Sequence, residues 1–234
     1  MKLLTTANAK IKKGEKQGYM SFGIHLAPAK QSGFNVCPSS SRGCEIACLS
    51  SAGHGAFSTV QDARNKKTVM FFKDRENFMN QLVREISAAI KKAEKNEMTP
   101  CFRLNLTSDL AWEKIKHHGK TIMEHFPKTI FYDYSAVVSR MSAFLSGDFP
   151  ENYHLTFSRK ESNDLAVQAI MASGGNVAAV FRGALPDSWM GRKVIDSDEN
   201  DLRFLDPKGV ICGLSTKGKA KKDKSGFVLE PSNV

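Results

Sequence analysis

The chain has 234 residues, enough for one large domain, and a domain of that size buries about 70–75% of its unfolded surface without disulfide staples. Hydrophobic residues (41%), charged residues (25%) and aromatics (9%) stand at ordinary globular levels, which excludes collagen-like, low-complexity and wholly disordered chains. The formal charge of +10, from 34 Lys and Arg against 24 Asp and Glu, permits contact with nucleic acid without requiring it.

Met1-Lys2-Leu3-Leu4 gives way at once to Thr5-Thr6-Ala7-Asn8, so no secretory h-region develops, and no apolar run approaches the ~20 residues that span a bilayer. The expectation is a cytoplasmic protein with no membrane contact. Lys10, Lys12, Lys13 and Lys16 crowd one end and Lys217, Lys219, Lys221, Lys222 and Lys224 the other. Both clusters read as mobile basic ends, ahead of a dedicated nucleic-acid site.

Residues 20–29 read as an extended segment ending at Pro28, which leads through Ser32-Gly33 into a cysteine-rich loop and then a flexible stretch at 50–55. A helical pattern runs from about Val60 to Lys95, with Phe71, Phe78, Leu82, Ile86 and Ile90 near one face; a break near Phe72-Lys73, with Asp74 restarting it, makes two helices. Pro100 closes that stretch. Residues 101–106 alternate as a strand, and a helix is expected from Trp112 to Phe126, weakened by Gly119. Strands follow at 129–134 and 153–159, a helix at 163–173 stopped by Gly174-Gly175, a strongly apolar strand at 176–182, and short strands at 194–196 and 209–214. Strands that alternate with helices or long connections predict one α/β domain over 1–234 with a largely parallel sheet, flat or curled into a partial (β/α) barrel.

Five cysteines in a chain expected in a reducing compartment argue against a disulfide framework. Cys101 and Cys212 have apolar neighbours and read as small buried hydrophobes. Cys37, Cys44 and Cys48 are different: they stand as C-x6-C-x3-C, with Cys44 and Cys48 four apart on one side of a helical turn and Cys37 across a loop turned by Pro38 and Gly43. Three thiolates from one short loop repel each other unless a cation intervenes. Structural zinc usually takes four ligands, often in two pairs, whereas an iron–sulfur cubane accepts a single triplet with its remaining iron open. The expected cofactor is a 4Fe–4S cluster, with zinc the other candidate.

Ligands of parallel α/β folds sit beyond the carboxyl ends of the strands. There the sequence places Asn105, Ser108 and Asp109, then Asp133, then Ser158 and Arg159, then Arg182. Each has a plain structural role open to it: Asp109 as a helix N-cap, Asp133 in a turn, Arg159 paired with Glu161. No G-x-S-x-G elbow and no Walker loop occurs. A hydrolase acting on ester bonds remains as an alternative, with His154 or His54 as base beside Ser108 or Ser158, or with a cluster iron polarising a carbonyl. His117 and His118 read as solvated residues of a helix.

Several runs carry a resemblance: Gly-Ile-His-Leu-Ala-Pro-Ala (23–29), Ser-Gly-Phe-Asn-Val-Cys-Pro (32–38), Gly-Cys-Glu-Ile-Ala-Cys-Leu (43–49), Arg-Leu-Asn-Leu-Thr-Ser-Asp-Leu (103–110), Phe-Tyr-Asp-Tyr (131–134), His-Leu-Thr-Phe-Ser-Arg (154–159) and Asp-Leu-Arg-Phe-Leu-Asp-Pro-Lys-Gly-Val (201–210). Over nearly its whole length the chain resembles the phage "gene product eighty-eight" family, which implies a phage or prophage origin. More distantly, a strand followed by a three-cysteine loop is similar to the radical S-adenosylmethionine enzymes, whose usual spacing is C-x3-C-x2-C. That resemblance implies Cys37, Cys44 and Cys48 as cluster ligands and S-adenosylmethionine as a second cofactor. The resulting expectation is an enzyme acting on a small molecule of unknown identity. An esterase-like hydrolase and a redox or nucleic-acid-binding protein are the alternatives.

Overall fold

In the computed structural model, which describes residues 1–6 and 9–230, the chain runs β1 (Leu4–Thr5), α1 (Ala9–Lys12), β2 (Tyr19–Ile24), α2 (Arg42–Ile46), α3 (Ser58–Lys73), α4 (Arg75–Lys95), β3 (Thr99–Arg103), α5 (Ile122–His125), β4 (Ile130–Ser135), α6 (Val138–Leu145), β5 (Tyr153–Ser158), α7 (Asp164–Ala172), β6 (Val177–Phe181), β7 (Ser188–Trp189), β8 (Arg192–Asp196), β9 (Ile211–Ser215) and β10 (Val228–Leu229). The strands make one sheet in the order β1-β2-β3-β4-β5-β6-β9-β8-β7, with β10 also on β6. Pairing is parallel from β2 through β6 to β9 and β8, and antiparallel only where β1 and β7 finish the two ends. The path has two ends, so the sheet is open.

Side chains alternate across this sheet and give its faces different chemistry. Phe22, Phe102, Phe131, Leu155, Phe157, Val177 and Ile211 form the main core together with Phe71, Phe78, Leu82, Ile86, Met123, Met141, Val167 and Ile170. These come from α3 to α7, so the longer helices cover one face. The other face carries Cys101 and Tyr132, packed with Leu202 and Phe204 of the 197–208 connection. Further along, Val180 meets Ala47, Ala220 and Val228.

The helical stretch does break in two, at Asp74. Pro100 lies inside β3 rather than before it. The helix expected over 112–126 does not form. A short 3-10 turn at Trp112–Lys114, a His117–Lys120 bridge and one turn of α5 replace it. Gly119 (φ +79°) and His118 (φ +49°) are both left-handed, and Thr121 opens α5 with a capping box to Glu124. His117 is therefore buried and off any helix, its Nε2 3.1 Å from Asn80 Oδ1. Helix α6 lacks a side-chain cap and starts on β-branched Val137-Val138; only the Val138, Met141, Leu145 spacing announces it.

Parts of both basic ends make contacts with the rest of the fold. Lys10 belongs to α1 and ion-pairs with Asp201 at 3.2 Å, Lys217 pairs with Asp198 at 2.6 Å, and residues 228–229 join the sheet. β5 pairs with β6 only at Phe157–Val177 and Ser158–Ala178; beyond that, β10 takes the same edge through Val228–Val180 and Leu229–Phe181. No helix among the described residues is long and apolar enough to cross a membrane.

Candidate functional site

Parallel pairing puts the carboxyl ends of β2 to β6 along one edge, and the cysteine loop lies over that edge. Its first anchor is backbone. Leu106 N–H donates to the Ile24 carbonyl, Thr107 Oγ1 to the Leu26 carbonyl (2.6 Å), and Asp109 N–H to the Val36 carbonyl (2.7 Å). Cys37 then follows an Asx turn in which Asn35 Oδ1 accepts its N–H, while the Cys37 sulfur accepts from Ala29 N–H at 3.4 Å.

The second anchor is Glu161, just past β5. Its carboxylate accepts from Gly43 N–H (2.8 Å) and Ser41 Oγ (2.7 Å), and Ser41 in turn caps α2 by accepting from Cys44 N–H. Lys160 Nζ donates to the Ser39 carbonyl. A side chain at position 43 would fall on Ser225, Glu161 and Phe227, so glycine lets α2 lie directly against the C-terminal segment.

These anchors set the three cysteines, half-buried and outside any disulfide, along one loop. Burial pushes the Cys37 thiol up to about 12, and the Cys48 and Cys44 sulfurs add to the rise against the Ala29 N–H. Burial likewise lifts Cys44 to about 11, with Cys48 adding and Lys160 opposing. Each sulfur thus lies within electrostatic reach of the others. Among the described residues, however, no three His, Cys, Asp or Glu side chains converge closely enough to grip one metal ion.

Two residues beside the thiols had no place in the sequence reading. Arg64 is buried on α3, donates Nη1 to the Ser50 carbonyl and leaves Nε without a hydrogen-bond partner among the described residues. Burial lowers its pKa, and the charge that favours its cationic form is the Cys48 sulfur. His25 follows β2 with Nδ1 3.4 Å from Thr107 Oγ1; burial, then the charges of Arg64, Arg103 and Lys67, push it down to about 3, so the imidazole is neutral. No sequence signal marks Arg64: that it shares the buried stripe of α3 with Thr68 and Phe71 emerges only on folding.

The other predicted residues are tied into structure. Asn105 Oδ1 accepts from Ser108 Oγ (2.8 Å), Leu110 N–H and Trp112 Nε1, which occupies the Ser108 hydroxyl proton. Asp109 caps no helix; it accepts from Ala136 N–H and pairs with Arg140 at 2.6 Å. Arg159 pairs with Asp164, not Glu161, and donates to the Gly226 and Phe227 carbonyls. Ser158 is half-buried at the end of β5, its carbonyl accepting from Asn163. Arg182 clamps the C-terminal segment through Glu230 and the Lys221 and Asp223 carbonyls.

His154 is not brought to any of the serines. It lies second in β5, level with Tyr132, its ring 5.9 Å from Phe204, and four residues (about 13 Å of strand) from Ser158. The Ser108 hydroxyl donates to Asn105 rather than to a histidine.

Asp133 is fully buried on the helix-covered face, accepting from Asn105 N–H (2.8 Å), Asn105 Nδ2 and Tyr153 OH (2.8 Å). Burial pushes its carboxyl up to about 7, against Arg103 and those donors. The folded state therefore holds this proton over a range where the unfolded chain (about 3.9) has lost it, and stability falls as pH rises from about 4 to 7. Asp133→Asn is expected to flatten that slope by up to about 4 kcal/mol, at 1.36 kcal/mol per unit. Urea titrations of both proteins at pH 4.5 and 7.5 check it; parallel curves would refute the protonated carboxyl.

A family model described as Gene product 88 matches residues 2–231. No curated protein and no solved structure matches the chain.

Proposed function

The chain belongs to the Gene product 88 family, and from its cysteine loop we propose that it is an iron–sulfur protein and an enzyme, with Cys37, Cys44 and Cys48 holding a 4Fe–4S cluster at the carboxyl edge of the sheet. The observation that carries this reading is Arg64: a buried guanidinium on the helix that follows the cysteine loop, whose Nε has no hydrogen-bond partner among the described residues. A buried cation needs an anion, and three thiolates around an iron–sulfur core supply a net negative charge there.

The single triplet favours the larger group: structural zinc usually takes four ligands, whereas an iron–sulfur cubane accepts three cysteines. When bound, the cluster supplies electron transfer and, with only three protein ligands, an iron open to a further ligand. The chain's own residues hold the loop in place through Glu161 and Lys160, offset the thiolate charge through Arg64, and present a neutral His25 alongside.

Anaerobically purified protein is expected to be brown, with iron and sulfide in near-equal amounts, and Cys44→Ser to lose most of both while remaining folded by circular dichroism. Colourless protein carrying stoichiometric zinc would overturn the reading. Release of 5′-deoxyadenosine from S-adenosylmethionine by the reduced protein decides whether that molecule is the second cofactor.

A further inference from the structure

The cysteine loop and the turns after it carry apolar side chains that the fold leaves uncovered. Ile46, at the end of α2, is 48% exposed, and Leu49 and Phe57 are each 58% exposed. The Phe57 ring is braced by the His54 imidazole, 5.5 Å between centroids and 23° from parallel. Gly53, Ala56 and Ser58 around it are small and exposed, so a flat group can lie against the ring.

The C-terminal lysines come to the same side. The 3-10 turn Gly218–Lys222 lies against the Leu49–Ser51 turn: a side chain at 218 would fall on Ala52, and Ala220 packs with Ala47. Three residues per turn put Lys219 and Lys222 on one side of that segment. Lys219, Lys221, Lys222 and Lys224 are exposed, and their ammonium groups make no ion pair or hydrogen bond among the described residues; Lys217, by contrast, is held by Asp198. The carboxylates of the same segments are engaged. Asp223 is buried and accepts from Ser225 Oγ and Val228 N–H, Glu230 pairs with Arg182, and Glu45 accepts from Ser40 Oγ with Arg42 on the same helix to offset its charge.

We propose that this surface binds single-stranded nucleic acid, with the lysines along the phosphate backbone and a base stacked on Phe57. A row of free cations beside an open aromatic ring is what an unpaired strand calls for, since every linkage is an anion and every base has a π-face. A duplex keeps its bases stacked inside and offers Phe57 no partner. A lipid surface uses Ile46, Leu49 and Phe57 as apolar area alone, to which a braced flat ring adds nothing. The surface stands whether or not the thiols hold iron.

The test is fluorescence anisotropy of the full chain with a labelled oligothymidylate. Binding is expected to weaken with log salt at a slope of about −3, roughly 0.7 for each of four phosphate contacts. Phe57→Leu keeps the apolar area without the ring and should weaken binding about tenfold, within the worth of one stacked base, whereas Phe57→Trp should retain it. Replacing Lys219 and Lys222 together by Gln should flatten the slope to about −1.4. Replacing Lys91 and Lys95, exposed on α4, should change neither affinity nor slope. Every substitution is at an exposed position, and circular dichroism checks that each variant is folded. No binding, equal affinity for the matching duplex or for polyglutamate, tighter binding to phosphatidylserine vesicles that Phe57→Leu leaves intact, or a slope unchanged without Lys219 and Lys222 would overturn the proposal.

Discussion

Asp201→Asn is expected to destabilise the fold by about 3–5 kcal/mol near neutral pH, the loss that follows removal of one partner from a buried ion pair. Asp201 sits under Lys10, Arg103 and the Tyr134 hydroxyl with no exposed side-chain surface. An amide there leaves those cations without their nearest counter-charge. Burial by itself would raise the Asp201 carboxyl, but Arg103 and Lys10 outweigh it and hold the group at about 2. That value lies below the unfolded one, so the contribution is complete above about pH 4 and is lost as pH falls through 2. Variant and wild type should therefore differ in urea at pH 7 and converge toward pH 2. A difference below about 1 kcal/mol at pH 7 would mean that the group behaves like a surface pair.

Arg140→Ala is expected to cost a similar 3–5 kcal/mol. Arg140 is 3% exposed and spans two carboxylates: it grips Glu113 with Nε and Nη2 at 2.9 Å each, and reaches Asp109 with Nη1 at 2.6 Å. Its Nη2 also donates to Tyr153 OH, which donates to Asp133. Lysine at 140 restores the charge without the fork and should recover only part of the loss. A double-mutant cycle with Glu113→Gln measures the coupling directly. Asp109 N–H holds the Val36 carbonyl, one residue before Cys37, so the alanine variant should also leave the cysteine loop more open to proteolysis than in wild type. Unchanged stability, or a coupling near zero, would show that Asp109 and Glu113 are satisfied without the guanidinium.

The parallel sheet was legible because its strands are the apolar runs: Val177–Phe181 and Phe102 with Phe131 announce themselves by hydrophobicity and spacing. The cysteine loop was legible because thiols at short intervals stand out in any sequence. What surrounds the thiols was hidden. Arg64 is an ordinary helical arginine until folding buries it, and Glu161 looks like a partner for Arg159 until folding takes it to Gly43 and Ser41 across about 120 residues. Such pairings are set by tertiary contact, which local pattern does not encode. The same cause explains the missing helix at 112–126, where a left-handed His118-Gly119 pair overrides the residues' helical preference, and β10, two residues long, which exists only because β5 departs from β6.

That two-residue strand bears on when the molecule becomes competent during synthesis. Arg159 and Arg182 depend on carbonyls at 221–227, and Gly43 lies against Ser225 and Phe227. A nascent chain halted short of position 223 would display its thiols on a half-open edge, with two arginines missing their acceptors. A ribosome stalled at that point should accordingly carry a chain that proteases still cut within the loop.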